Sequence, residues 1–238
     1  MILRKWEELP DDFKTPEVRK YYEILAKHKF SLMLKRILDV FLSLVMLLVL
    51  AIPMLIIGVL IVCDSPGGVF YRQHRVTTYG KEFRIHKFRT MVKNADQIGS
   101  LVTVGQDNRV TKIGIFLRKY RLDELPQLLD VLMGNMSYVG TRPEVLKYVK
   151  HYTAEMKATL LLPAGITSEA SIRYKNEAEL LDGAINVDEV YLEQILPEKM
   201  KYNLWAIEKF SLFGEITTMF RTVFAILGKD YSKEKVDF

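Results

Sequence analysis

Cysteine is nearly absent. The 238 residues hold only Cys63, which excludes an internal disulfide framework and is compatible with a reducing cytoplasm. The four histidines have no Cys or His neighbours at metal-ligand spacing, so His74, His86 and His151 read as surface or core residues. No Walker A run and no G-x-G-x-x-G are present, which argues against ATP hydrolysis and dinucleotide chemistry. No G-x-S-x-G elbow occurs either. The opening "MILRKWEELPDDFKTPEVRK" has no apolar core and no small-residue cleavage site, so it does not read as a signal peptide. Internal repeats, low-complexity tracts and long linkers are also missing.

What is present is a mixed composition, 49% apolar and 26% charged, which is neither that of a disordered chain nor of one wholly buried in a membrane. The net charge of +5 suits nucleic acid, phosphorylated substrates or an anionic membrane. One stretch, "VFLSLVMLLVLAIPMLIIGVLIVC", runs 24 residues from Val40 to Cys63 without a charge. As a helix it would be about 36 Å long, enough for a hydrocarbon core of about 30 Å.

Whether that segment crosses is left open by the residues themselves. Lys27, Lys29, Lys35 and Arg36 precede it, and Arg72, Arg75, Lys81, Arg84 and Lys87 follow, so charge bias gives no orientation. Pro53 divides the run into arms of 13 and 10 residues and removes a backbone hydrogen bond between them. A helix broken there could return to the face it entered, and a kinked single span fits equally well.

Beyond the apolar run, "VFYRQHRV", "TTYGK" and "EFRIHKF" read as strand, turn and strand. "KIGIFLRKY" is helical, and a second helix carrying Leu128, Leu129, Val131 and Leu132 stops at Gly134-Asn135. "VGTRPE" is a loop, because Pro143 disfavours helical geometry at Arg142. Near the C-terminus, Trp205, Phe210, Phe213, Phe220 and Phe224 among basic residues fit an interfacial helix or an ordinary core helix.

Between the two central helices, "RLDELPQLL" sets Asp123 beside Glu124, two residues before Pro126. Proline favours the first turn of a helix, so the simplest role for these acids is to cap it. A carboxylate held ionised there would also serve as nucleophile or metal ligand. Arg118 lies five residues upstream, Arg142 follows in the proline-stiffened loop, and Lys87 and Arg89 end the hairpin. Two carboxylates among cations beside a membrane supply what phosphoryl transfer needs.

The motifs "FYRQHRV", "KFRTM", "DNRVTKIGIFLRKYRLDELPQL", "GNMSYVGTRPE" and "LPAGIT", in that order after an apolar segment with a central proline, carry a specific resemblance. The chain resembles the bacterial sugar transferase family of monotopic phosphoglycosyl transferases, well from Lys35 to Thr167 and loosely in the last third. That resemblance implies transfer of a sugar phosphate from a nucleotide diphosphate sugar, expected to be a UDP-sugar, to a polyprenol phosphate such as undecaprenyl phosphate. Asp123 would be the nucleophile that carries a covalent phospho-sugar, and Glu124 would support it or Mg²⁺, with both acids as metal ligands. Arg118, Arg142, Lys87 and Arg89 would bind phosphate. Arg173, in the divergent "EASIRYKNEAELL", is the candidate contact for the donor sugar or nucleotide. Asn135 and Thr141 depart from the family's usual aspartate and proline, and the missing carboxylate weakens a metal role at residue 135.

The expected fold is α+β and mostly helical. It comprises an N-terminal extension (1–35), a re-entrant membrane helix hinged at Pro53 (36–64) and a catalytic domain (65–238) with a small β-hairpin and amphipathic interfacial helices. The catalytic domain is expected on the cytoplasmic face of the bacterial plasma membrane, touching membrane lipid but no nucleic acid, with a homodimer left open. The competing reading is a non-catalytic, membrane-anchored basic scaffold that binds anionic lipid or a partner protein.

Overall fold

Two helices separated by one residue open the fold. In the computed structural model, which describes residues 3–95, 107–181, 186–232, 234 and 236, α1 spans Pro16–Lys27 and α2 spans Lys29–Asp64. Thr15 caps α1, accepting the Val18 amide, with Pro16 in the first turn where its missing N–H costs nothing. The helical assignment of α2 continues through Pro53, so the two arms on either side of the proline belong to one element. Proline removes one backbone bond and crowds one turn, and the turns on either side continue the helix.

The hairpin follows as expected. β1 (Phe70–Val76) pairs antiparallel with β2 (Glu82–Phe88), in a register running from Phe70 opposite Phe88 to Val76 opposite Glu82. α3 (Lys112–Lys119) and α4 (Gln127–Met133) flank the acidic pair, and α4 ends at Gly134, whose φ of 85° is the left-handed stop that glycine permits.

A second sheet is absent from the sequence expectations. β3 (Met136–Val139) lies parallel to β4 (Ala164–Thr167), with α5 (Leu146–Val149) in the connection. Just beyond β3 the backbones come so close that a Cβ on Gly165 would sit 2.2 Å from the Gly140 carbonyl oxygen. The "LPAGIT" glycine is therefore there for contact between chains of backbone. The remaining helices are α6 (Glu169–Arg173), α7 (Glu177–Leu180), α8 (Val187–Val190), α9 (Leu196–Glu208) and α10 (Leu212–Ile226).

Apolar clusters join these elements. The largest packs Val18, Tyr21 and Leu25 of α1 against Leu196 and Met200 of α9, with Leu161 between them. Each such side chain contributes about 1.5–3 kcal/mol by leaving water, so the N-terminal extension is part of the main core. Phe83 and Ile85 of the hairpin pack on Val131, Met136 and Ala164, and Ile61 of α2 packs on Phe88 and Leu117.

Polar contacts fasten α2 to the domain at both ends. Lys35 donates to the Val139 carbonyl at 2.9 Å and pairs with Glu215. Arg36 donates to the carbonyls of Val131 and Leu132 at 2.6 and 3.0 Å, capping the end of α4. Asp39 accepts from Ser137 Oγ at 2.8 Å and from the Tyr138 amide at 3.2 Å. At the far end, Asp64 accepts from the Ile113 amide at 3.0 Å.

The outer surface is apolar where no polypeptide covers it. Only 11% of the most hydrophobic window of α2 is buried, which excludes an ordinary core helix. Phe213, Phe220 and Phe224 stand exposed on α10, and Ile115 and Phe116 on α3, as an interfacial role requires. The C-terminal aromatic stretch thus divides its roles, with Leu204 and Ile207 of α9 in the core and the phenylalanines of α10 outside.

Candidate active site

Asp123 and Glu124 do not cap a helix. They lie in a 3₁₀ turn, Leu122–Glu124, and the residue that precedes α4 is Pro126, which has no side-chain cap. Arg121 enters that turn with a left-handed φ of 57°, a strained geometry for a long side chain that turns the following acids inward. Both carboxylates are buried and line a cavity of about 1390 Å³.

Their surroundings differ sharply. Glu124 Oε1 accepts from Arg142 Nη2 at 2.7 Å and from Lys87 Nζ at 3.0 Å. Burial alone would raise its pKa, but Arg142, Lys87 and Arg121 outweigh that effect and hold the carboxyl well below its ordinary range. Asp123 is pushed upward, first by burial and then by the charge of Glu124. Its Oδ1 is buried and has no hydrogen-bond partner. A pair of acids separated in this way has one member fixed as an anion and the other poised to react.

The cations take different duties. Arg142, drawn by Glu124, is made still harder to deprotonate. Burial lowers the Lys87 ammonium pKa, and burial likewise lowers that of the Arg118 guanidinium, which feels Asp123. Arg118, Lys87 and Arg142 all line the cavity with the acids. Arg89 lines the cavity as well, but its guanidinium is already engaged by backbone. Its guanidinium donates to the carbonyls of Pro66 and Ser65, both at 2.7 Å, because the open end of α2 needs donors. Arg173 lies apart from these groups. It donates to the backbone of Tyr231 and Glu234 at 3.2 and 2.5 Å, stacks on Tyr202, and is not on the cavity wall.

Sequence reasoning missed other groups. The Asp130 carboxylate, fully buried, accepts from the His86 amide and meets His86 Nδ1, each at 2.8 Å, fixing β2 to α4. No spacing signals a pair 44 residues apart. Glu144, within the quoted "RPE", receives the Tyr191 hydroxyl at 2.5 Å, and Lys199 reaches Tyr191 at 3.2 Å and Glu177 at 2.7 Å. All of these but His86 and Asp130 line the cavity. Asn135 does not, since its carbonyl is bound by Thr77 Oγ1 at 2.6 Å behind α4.

Among the described residues no cluster of three or more His, Cys, Asp or Glu is placed to hold a metal ion. The unpartnered Asp123 oxygen and the anionic Glu124 do fit a hard divalent cation that takes its other ligands from substrate phosphate and water. Met46 of α2 borders the same cavity, so the apolar helix and the carboxylates share its wall.

Similarity to known proteins covers most of the chain. The family model described as bacterial sugar transferase matches residues 30–229. A UDP-N-acetylgalactosamine-undecaprenyl-phosphate N-acetylgalactosaminephosphotransferase of Aeromonas hydrophila is 32% identical over 197 residues, 82% of this chain and 44% of its own. A Bacillus subtilis (strain 168) protein, provisionally named an undecaprenyl-phosphate N-acetylgalactosaminyl 1-phosphate transferase, is 35% identical over 176 residues, 70% of this chain and 96% of its own. The UDP-glucose:undecaprenyl-phosphate glucose-1-phosphate transferase of Escherichia coli (strain K12) is 33% identical over 197 residues, 81% of this chain and 40% of its own. The chain therefore spans less than half of the first and third of these relatives, and nearly all of the second.

Proposed function

The chain belongs to the bacterial sugar transferase family, and we propose that it moves a sugar 1-phosphate from a UDP-sugar to undecaprenyl phosphate. The observation that carries this reading is the buried, unpartnered Asp123 oxygen on the wall of a cation-lined cavity bordered by a membrane helix. A scaffold that only bound anions would gain nothing from burying an acid there.

In this reading Asp123 attacks the phosphorus bearing the sugar. A bond forms from its carboxylate oxygen to phosphorus, and the bond to the bridging oxygen breaks, releasing UMP. An oxygen of undecaprenyl phosphate then attacks the same phosphorus and expels the Asp123 carboxylate, giving undecaprenyl diphosphate sugar. Arg118 and Arg142 present planar forks to the phosphates, and Lys87 adds a point charge while holding Glu124. Asp123 and Glu124 would hold Mg²⁺, which when bound neutralises diphosphate charge. The product is the first lipid-linked unit of a surface glycan, such as a capsule, exopolysaccharide, O-antigen or glycoprotein glycan.

The same reading places the catalytic domain on the cytoplasmic face of the inner membrane, with α2 entering and leaving by that face. Its support is that segments before and after α2 touch each other. The Arg4 amide donates to the Tyr79 hydroxyl at 3.0 Å. A straight crossing would part those residues by a hydrocarbon core of about 30 Å.

Release of UMP from a UDP-sugar on adding undecaprenyl phosphate and Mg²⁺ tests the activity. If a panel of UDP-hexoses and UDP-N-acetylhexosamines yields no UMP, the transferase reading falls and the scaffold stands.

A further inference from the structure

Cations that grip a diphosphate cannot tell one hexose from its epimer. Hydroxyl groups are distinguished by fixed acceptors, and a carboxylate, with two oxygens and no donor, is the strongest acceptor a side chain offers. Besides Asp123 and Glu124, the acids on the cavity wall among the described residues are Glu144 and Glu177.

Those two are held differently. Glu144 is buried and already takes the Tyr191 hydroxyl, with Lys199 and Arg75 at 3.8 and 3.9 Å. Glu177 opens α7 at the cavity edge, with its side chain 26% exposed and Oε2 bound by Lys199 Nζ at 2.7 Å. Lys199 is itself buried and fixed by Tyr191, so it holds the Glu177 carboxylate in place while leaving part of it facing the cavity. Glu177 also lies close enough to Arg142 for its charge to act on that guanidinium. A negative group so near the phosphate cations would repel phosphate, which suits a neighbouring hydroxyl instead.

Resting on the transferase reading, we propose that Glu177, positioned by Lys199, accepts hydrogen bonds from the hydroxyls of the donor hexose and selects the sugar. Its place in "EASIRYKNEAELL" gives that divergent stretch a group on the cavity wall, while Arg173 of the same stretch bonds the C-terminal backbone. A site built to bond a hydroxyl discriminates, because the wrong epimer leaves the cavity-facing carboxylate oxygen without that partner.

The test compares wild type with Glu177→Ala in the membrane-embedded enzyme, using kcat/KM for UDP-glucose, UDP-galactose and their N-acetylated counterparts. UMP, which lacks the sugar, serves as inhibitor in parallel. The preferred donor should lose about 10-fold or more in kcat/KM, mainly through KM, and its advantage over the epimer should shrink, with UMP inhibition unchanged. Unchanged donor ranking, or UMP inhibition weakened in step with donor use, would overturn the proposal while leaving the transferase intact. No transfer by wild type from any of these donors would instead overturn the transferase reading, and this proposal with it. Should the alanine variant fail to fold, Glu177→Gln, which keeps an oxygen for Lys199, decides by the same ranking.

Discussion

Asp123 and Glu124 are consecutive residues with opposite surroundings, Glu124 bound by Arg142 at 2.7 Å and Lys87 at 3.0 Å while Asp123 Oδ1 accepts no hydrogen bond. The fixed anion raises the basicity of its neighbour, and the cations that neutralise it stand ready for phosphate. From this follows a pH dependence. In the proposed reaction Asp123 attacks only as the carboxylate, and burial together with the Glu124 charge raises its pKa. Activity should therefore fall on the acid side at a pH above that of an ordinary aspartate. Glu124→Gln removes the repelling charge, so the acid limb of its residual activity should move to lower pH. A pH profile of kcat/KM for both proteins checks this, and an unmoved limb would contradict it.

The arginine pair to Glu124 bears on stability as well as catalysis. Arg142→Ala leaves a buried carboxylate with Lys87 as its remaining partner, at a cost of about 1–3 kcal/mol. Because the folded-state pKa of Glu124 is depressed, the stability it contributes is present above its unfolded pKa and is lost as pH falls through the folded one. The gap between wild type and Arg142→Ala in denaturant melts should accordingly narrow in acid. Arg142→Lys and Arg118→Lys keep the charge but lose the fork, and each should reduce kcat/KM by about 10- to 100-fold.

Asp39 ties the membrane helix to the catalytic core. Asp39→Ala strands the Ser137 hydroxyl and the Tyr138 amide, each an unpaired polar group costing about 1–3 kcal/mol. Thermal melts in micelles should show this loss. Activity should drop with it, since Met46 on the same helix borders the cavity.

Much of this was legible in local sequence, and the rest depends on distant partners. The hairpin shows because Phe83 and Ile85 alternate with polar residues, and α4 shows because Gly134 stops an apolar run. The parallel pair β3 and β4 does not, since strands of four residues carry too little periodicity and their pairing is settled by the Gly140–Gly165 approach. Asp123 and Glu124 stood out through their neighbours in sequence. That Arg89 and Arg173 also bond backbone carbonyls was not legible, because in sequence such an arginine looks like one with its whole fork free for phosphate. Glu144, Tyr191 and Lys199 come together only through the packing of α9 against α1 and the central loops, which no spacing foretells.

Topology is tested by cysteine labelling in a Cys63→Ser background. Lys5→Cys and Lys81→Cys are exposed sites on either side of α2, near the Arg4–Tyr79 contact. Both should resist a membrane-impermeant thiol reagent in intact cells and react after lysis. Labelling of Lys5→Cys from outside would show a crossing helix. Pro53→Ala restores the missing backbone bond and would favour a crossing helix, so in the re-entrant reading it should lower activity without touching the cavity.

The nucleophilic role of Asp123 is tested most directly without any acceptor. Wild-type enzyme mixed with Mg²⁺ and its UDP-sugar donor, in the absence of undecaprenyl phosphate, should release a burst of UMP stoichiometric with enzyme. Its mass should rise by one sugar phosphate on the peptide containing Asp123, and Asp123→Asn should show neither change while still folding. If UMP appears only when undecaprenyl phosphate is added, with no mass change beforehand, transfer is direct and Asp123 is not the nucleophile.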